Sequence, residues 1–288
     1  MADVSAVSVV FVTYNSHAVI ARAVASVPDA CQVVVVDNAS PAGTGFVSGL
    51  PRSVDLVALP RNLGFGAACN AGARHARGSH VLFLNPDAAL EAGALEHLLQ
   101  AAARYGPALL MPTIMGEKGR LMRKEGSILE PVPRRRRLDP AEVVGDYCTR
   151  FVHGAAFLVA RDLFLDLGGF DEAIFLYHED DDLALRAVAR RIPIIVVQSA
   201  RVIHAGGKSS APVLRQTFRV NRYKKRSEVY LRRKYHRPAP FLPDFGRLAG
   251  GIVLALLSFD LNRIMIRAGK LAGLLDMRRP GQATGPET

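Results

Sequence analysis

The chain has 288 residues, three cysteines, no tryptophan and a formal net charge of +11 at a pI near 10.0. This length can bury one large α/β core, and a composition without low-complexity tracts or internal repeats excludes a disordered or fibrous protein. Scattered Cys31, Cys69 and Cys148 exclude a disulfide framework and a cysteine-rich zinc site, and fit the cytoplasm; Met1-Ala2-Asp3 lacks the basic start of a secretory signal.

VSVVFVT (7 to 13) predicts a first strand running into Thr13-Tyr14-Asn15. Ile20, Val24 and Val27 then fall at helical spacing, closed by Pro28. QVVVV (32 to 36) predicts a second strand ending in Asp37-Asn38, with a loop from Pro41 to Gly45. VDLVALP (54 to 60) predicts a shorter strand, and Asn62-Leu63-Gly64-Phe65-Gly66 opens a helix through Arg77. HVLFL (80 to 84) predicts a strand before Asn85-Pro86-Asp87, and Leu95, Leu98, Leu99 and Ala102 mark the next helix. Continuous apolar strands alternating with helices imply βαβ units and a mostly parallel sheet with helices on both faces. Ligands bind outside the carboxyl ends of such strands, so the three polar clusters describe one site.

Between Gly116 and Arg150, proline, glycine and charge accumulate around Pro131-Val132-Pro133 and Arg134 to Arg137, predicting a long, partly mobile excursion over the site. Regular structure resumes at FVHGAAFLVAR (151 to 161). Gly168-Gly169-Phe170-Asp171 predicts a turn, HEDDDLALRAVARR (178 to 191) a helix, and PIIVVQ (193 to 198) a strand before His204. Leu248 to Phe259 is uncharged and too short to span a bilayer. With Arg247, Arg263, Arg267 and Lys270 around it, the segment suits a helix lying in a membrane interface; packing on the domain or a partner chain is the alternative. The basic block at 134 to 137 and the basic stretch from 215 to 237 favour acidic partners (nucleic acid, anionic lipid or phosphorylated substrates), unless they form a solvated face.

Asp87, at a strand end facing a phosphate site, most simply holds a divalent cation that bridges to a diphosphate; a helix cap is the bland reading. Asp37-Asn38 offers hydrogen bonds to a base or ribose, or forms an Asx-turn. Arg61-Asn62 with Gly64 and Gly66 supplies a cation and close backbone approach. Cys69 stands where a dinucleotide fingerprint needs glycine, and Val202 where a P-loop ending at Gly207-Lys208-Ser209 would need one. Four adjacent acids, Glu179 to Asp182, exceed any capping need, and their repulsion favours one general base. His204, just after a strand, would complete a metal shell.

TYN (13 to 15), DNAS (37 to 40), RNLGFGAACNAG (61 to 72), NPD (85 to 87), GGFDEAIFLYHEDDDLALR (168 to 186) and His204 together resemble family 2 glycosyltransferases, most closely the rhamnosyltransferase-like branch, over roughly residues 6 to 235. The resemblance implies a GT-A fold and inverting, metal-dependent transfer from a nucleotide-diphospho-sugar. It implies that Thr13, Asn15 and Asp37 hold the nucleoside and that Arg61, Asn62, Gly64 and Asn70 line the nucleotide pocket, with Tyr14, Asn38 and Asn85 also expected to bind the donor. Asp87 and His204 would hold Mg2+ or Mn2+, Asp180 would be the base, and Glu179 would contact the acceptor. HEDDDL departs from the usual aromatic-Glu-Asp-x-Asp-Leu, and Asn85 leaves one carboxylate in the metal motif.

The expected organisation is a catalytic domain over 1 to 235 (a nucleotide-binding half to 110, an acceptor half from 111) and a C-terminal helical extension over 236 to 288. The donor would be a dTDP- or UDP-sugar, L-rhamnose the favoured sugar. The acceptor would be a glycan or polyprenyl-diphosphate-linked sugar at an anionic membrane surface, placing a peripheral protein on the inner face of the cell membrane; an oligomer is compatible with this. A non-catalytic sugar-nucleotide binder, a nucleotidyltransferase and a basic nucleic-acid-binding protein are the rival readings. Nucleic acid is not expected as a partner, since no nucleic-acid motif accompanies the charge.

Overall fold

The computed structural model describes residues 3–122, 126–131, 143–205 and 214–278. The Arg134 to Arg137 block and Gly207-Lys208-Ser209 lie outside the described residues. The chain divides into two compact units, residues 1–171 with 180–207, and residues 172–179 with 208–288.

In the first unit β1 (Val7–Thr13), α1 (His17–Ala25), β2 (Gln32–Asp37), β3 (Asp55–Ala58), α2 (Phe65–His75) and β4 (His80–Leu84) follow the expected order. They continue through β5 (Ala88–Leu90), α3 (Ala94–Tyr105), β6 (Leu109–Gly116), β7 (Tyr147–Thr149), β8 (Ala156–Ala160), α4 (Arg161–Asp166), α5 (Glu179–Ala189, whose first residue belongs to the second unit) and β9 (Ile194–His204). Among the described residues the strands form one sheet in the order β3-β2-β1-β4-β8-β6-β9-β5, with β7 on β9. β1, β2, β3, β4, β6 and β9 share one direction, so the sheet is mostly parallel, while β5, β7 and β8 oppose it.

Alternating residues of β1 and β2 enter two different cores, which is why both strands read as unbroken apolar runs. Val9, Phe11, Val33 and Val35 pack with Ile20 and Val24 of α1 and Leu95 and Leu98 of α3. Val10, Val12, Val34 and Val36 pack with Ala68 and Ala73 of α2, Phe164 of α4 and Leu183 of α5. Helices therefore cover both faces. Gly72 sets the approach of α2 to the sheet, because a Cβ there would overlap Val10 and Val36.

Three strands escape the sequence patterns. β5 and β7 have three residues each, and β6 carries Pro112, beside which its pairing with β9 shifts register. Such a shift is the local accommodation of a proline that cannot donate to the ladder. β9 also runs on to His204, beyond the expected end at 198.

In the second unit α6 (Leu214–Lys234), α7 (Phe241–Leu257) and α8 (Leu261–Asp276) bury Val229, Leu248, Leu274 and Met277 between them. Gly269 and Gly273 let α8 press on the backbone of α6 at Phe218 and Arg222. Lys225 is buried, donating to Asp244 at 2.6 Å and to Glu228 at 3.2 Å.

Candidate active site

The first two polar clusters meet because parallel pairing puts Thr13 directly beside Asp37. The Thr13 hydroxyl lies 3.2 Å from Asp37 Oδ1 and 3.3 Å from the Val36 carbonyl, within reach of either acceptor. Asp37 Oδ2 accepts from the Ser40 amide at 3.0 Å, so both oxygens of this buried carboxylate are oriented. Asn38 ties β2 to the next loop: its carbonyl accepts from the Leu63 amide at 2.8 Å, and its amide donates to Asn62 Oδ1 and the Gly64 carbonyl at 3.0 and 3.1 Å. Gly64, at φ +93°, begins α2. Tyr14, Asn15 and Arg61 remain exposed beside this buried frame, with Asn15 held at φ +56° and its amide donating to Ser40 Oγ at 3.0 Å.

Asn70 lies within α2. Its amide donates to the Phe170 carbonyl at 2.9 Å and its carbonyl accepts from the Phe170 amide at 2.8 Å, clasping α2 to the glycine turn. Gly169 must be glycine there, since a Cβ at its φ of +64° would stand 2.5 Å from Asn70 Oδ1. The sequence expectation placed Asn70 at the nucleotide; its buried amide faces Phe170.

Asp87 and His204 come together through β5, which pairs antiparallel with the end of β9 so that Ala88 lies opposite His204. The Ala205 amide donates to the Asp87 carbonyl at 3.0 Å. His204 Nε2 lies 3.0 Å from Asp87 Oδ1, and Asn85 Nδ2 is 3.5 Å from the same nitrogen. His204 is buried, and its Nδ1 has no hydrogen-bond partner among the described residues. The bland reading of Asp87 as a helix cap does not hold: β5 follows it, and α3 begins later, after Gly93. Among the described residues no three His, Cys, Asp or Glu side chains converge as a complete metal cage.

His153 is the residue that sequence reasoning missed. Its ring stands edge-on to His204 with centroids 6.3 Å apart, and its Nδ1 accepts from the Ala155 amide at 3.2 Å. Gly154 runs alongside Asp180, where a Cβ would lie 3.6 Å from Asp180 Oδ2. No periodicity or motif marks this segment, so only the fold reveals it.

The four acids separate by environment. Asp181 is fully buried and accepts from the Ile128 amide at 2.8 Å. Asp182 is fully buried and pairs with Arg186 at 2.8 Å, whose guanidinium also reaches the Leu167 and Gly169 carbonyls. Asp180 is half-buried, with Oδ1 accepting from the Asp181 amide at 2.9 Å. In the second unit Glu179 is buried and follows Tyr177 and His178, two non-glycine residues at φ +66° and +70°. Burial first, then the Glu179 charge, raise the Tyr177 pKa, and Lys224 Nζ stands 4.3 Å over its ring. Consecutive positive φ values are strained and concentrate at functional loops.

Comparison with known proteins adds four likenesses. The family model described as Glycosyl transferase family 2 matches residues 8–168. An N-acetylglucosaminyl-diphospho-decaprenol L-rhamnosyltransferase of Mycobacterium tuberculosis is 31% identical over 237 residues, 68% of this chain and 75% of that one. Among solved structures, the mannosyltransferase PcManGT from Pyrobaculum calidifontis, in complex with GDP-Man and Mn2+, superposes with a TM-score of 0.57 at 21% identity, covering 94% of this chain and 86% of that one. GalNAc-T7 with UDP, GalNAc and Mn2+ gives 0.56 at 20% identity over 81% of this chain, which spans 51% of its length. At these identities the structural likeness carries the GT-A fold.

Proposed function

Because the chain belongs to glycosyl transferase family 2, we propose that it is an inverting transferase moving L-rhamnose from a dTDP-sugar to a polyprenyl-diphosphate-linked acceptor. Glycosyl transfer from a nucleotide-sugar is the family's activity. The choice of sugar and acceptor is supported by the mycobacterial relative, whose name gives an L-rhamnosyltransferase acting on an N-acetylglucosaminyl-diphospho-decaprenol. A lipid-linked acceptor supports a peripheral position at the inner face of the cell membrane as part of the same proposal.

The observation that carries the reading is the Asp87–His204 pair. Asp87 Oδ1 and His204 Nε2 converge to 3.0 Å, and a carboxylate oxygen beside an imidazole nitrogen is a donor set that divalent cations accept. The residues present therefore fit Mg2+ or Mn2+, which Asp87 and His204 would hold. When bound, the ion supplies positive charge against the nucleoside diphosphate as it leaves.

The remaining work falls to the chain itself. Asp37, its carboxylate oriented by the Thr13 hydroxyl and the Ser40 amide, is a buried acceptor for the nucleoside, and the exposed Arg61 adds cationic charge for the phosphates. Asp180, the half-buried acid of the four, takes the proton of the incoming hydroxyl. The hydroxyl oxygen forms the new bond to the anomeric carbon as the bond to the diphosphate oxygen breaks, which inverts that centre. Glu179, beside the base, is assigned to acceptor contact.

Thermal stabilisation by nucleoside diphosphates and their sugars, with Mn2+, Mg2+ or EDTA, tests the donor site. A selective, metal-dependent rise with dTDP compounds is expected. A panel in which no nucleotide stabilises the protein under any metal condition overturns the assignment.

A further inference from the structure

The transfer chemistry leaves one feature of the second unit unused. Around the turn joining α7 and α8, Val253, Leu254, Leu256, Leu257, Phe259 and Leu261 are all exposed, Leu257 by 73% and Phe259 by 91%. Residues 248 to 259 carry no charge. Soluble surfaces rarely gather so many large apolar side chains without a partner. The opposite side of α7 is packed: Leu248, Gly251 and Ala255 are buried, and Gly251 lies so close to Arg267 of α8 that a Cβ would overlap its guanidinium. The apolar turn thus projects from an anchored helix pair.

The charge of the same unit narrows the partner. Residues 214 to 278 contain fifteen Lys and Arg against four Asp and Glu, a surplus equal to the +11 of the whole chain. All four acids are already paired with cations of the unit, Glu228 and Asp244 with Lys225, Asp260 with Arg263, and Asp276 with Arg222. The Arg247 and Arg263 side chains bracket the apolar turn in sequence and are 72% and 66% exposed. A second copy docking here would bring two strongly basic units together. Nucleic acid would satisfy the charge and leave the apolar turn in water. An anionic bilayer satisfies both, and among the described residues no helix is long and apolar enough to cross it.

We propose that the α7–α8 turn is a membrane-docking tip that inserts its apolar side chains among the acyl chains of an anionic phospholipid bilayer while the basic residues of the unit meet the headgroups. Leu248, Gly251 and Ala255 face inward, so within 248 to 259 the exposed C-terminal half of α7 and the turn are the part that docks. The proposal deepens the lipid-linked-acceptor reading and rests on it for its purpose, since docking holds the enzyme where such an acceptor is found.

The test is flotation of the full chain with vesicles of phosphatidylcholine alone or mixed with phosphatidylglycerol. It is run beside the triple variant Leu254→Glu, Leu257→Glu, Phe259→Glu, whose positions are exposed and should tolerate the change. The parent chain should float with the phosphatidylglycerol vesicles and the variant should lose about tenfold or more in partitioning, while nucleotide stabilisation is the same in both. Failure of the parent chain to float, equal flotation of the variant, or a dimer in sedimentation that the substitutions dissolve would each overturn the tip. Nucleotide stabilisation without flotation sinks the tip and leaves the transferase reading standing; flotation without nucleotide stabilisation does the reverse.

Discussion

His204 Nε2 lies 3.0 Å from Asp87 Oδ1 although the two residues are 117 positions apart. The short pairing of β5 with the end of β9 creates that closeness. Removing either group should abolish the metal-dependent part of nucleotide stabilisation. Transfer should fall by more than the roughly 10–100-fold typical of outer-shell partners of a metal. Titrating Mn2+ against Asp87→Asn and His204→Gln reads this directly; a parent-like Mn2+ response in both variants would remove the pair from the metal site.

Asn70 should matter for folding. Replacing it with alanine strands the buried Phe170 amide and carbonyl, at a cost of about 1–3 kcal/mol for each group left unpaired. Urea denaturation should show the loss, and nucleotide affinity per folded molecule should hold. A large affinity loss with unchanged stability would return Asn70 to the nucleotide pocket.

The Asp182–Arg186 pair predicts a similar separation of stability from chemistry. Asp182 is fully buried, so Arg186→Met leaves a buried carboxylate without its cation, at a cost of about 3–5 kcal/mol. The double variant that also carries Asp182→Leu should recover the part of that loss due to the unpaired buried charge, while the Leu167 and Gly169 carbonyls stay without their Arg186 donors. Equal stability of the single and double variants would contradict this.

Asp244 predicts acid sensitivity of the second unit. Burial alone would raise its pKa, but the hydrogen bond and charge of Lys225, with Arg247, outweigh burial and hold it below the ordinary carboxylate value. A depressed folded pKa gives stability that is complete above the unfolded pKa of about 4 and is lost as pH falls through the folded value. Protection of the α6 and α7 amides relative to their intrinsic exchange rates should therefore fall at low pH, and Asp244→Asn should reduce that pH dependence.

The parallel half of the fold was legible in the sequence because β1, β2 and β4 are buried on both faces and so run apolar without interruption. The strand-end clusters followed from that direction, since parallel strands place their carboxyl ends side by side. β6 was hidden by Pro112 and its register shift, and β5 is too short to show alternation. The division of labour among the four acids was hidden as well, because it depends on the distant Ile128 amide and on the turn carbonyls that Arg186 reaches. His153 and Gly154 carry no pattern of their own and join the site only through the fold.

The most direct measurement is transfer from dTDP-L-rhamnose to an N-acetylglucosaminyl-diphospho-prenol, comparing the parent chain with Asp180→Asn and following both dTDP release and the rhamnosylated product. Asp180 acting as the base of an inverting transfer predicts an inverted product from the parent chain, and a rate lower by about 10²–10⁴ in the variant with donor stabilisation intact. Undiminished transfer by Asp180→Asn, or a product with the donor's anomeric configuration retained, would contradict it.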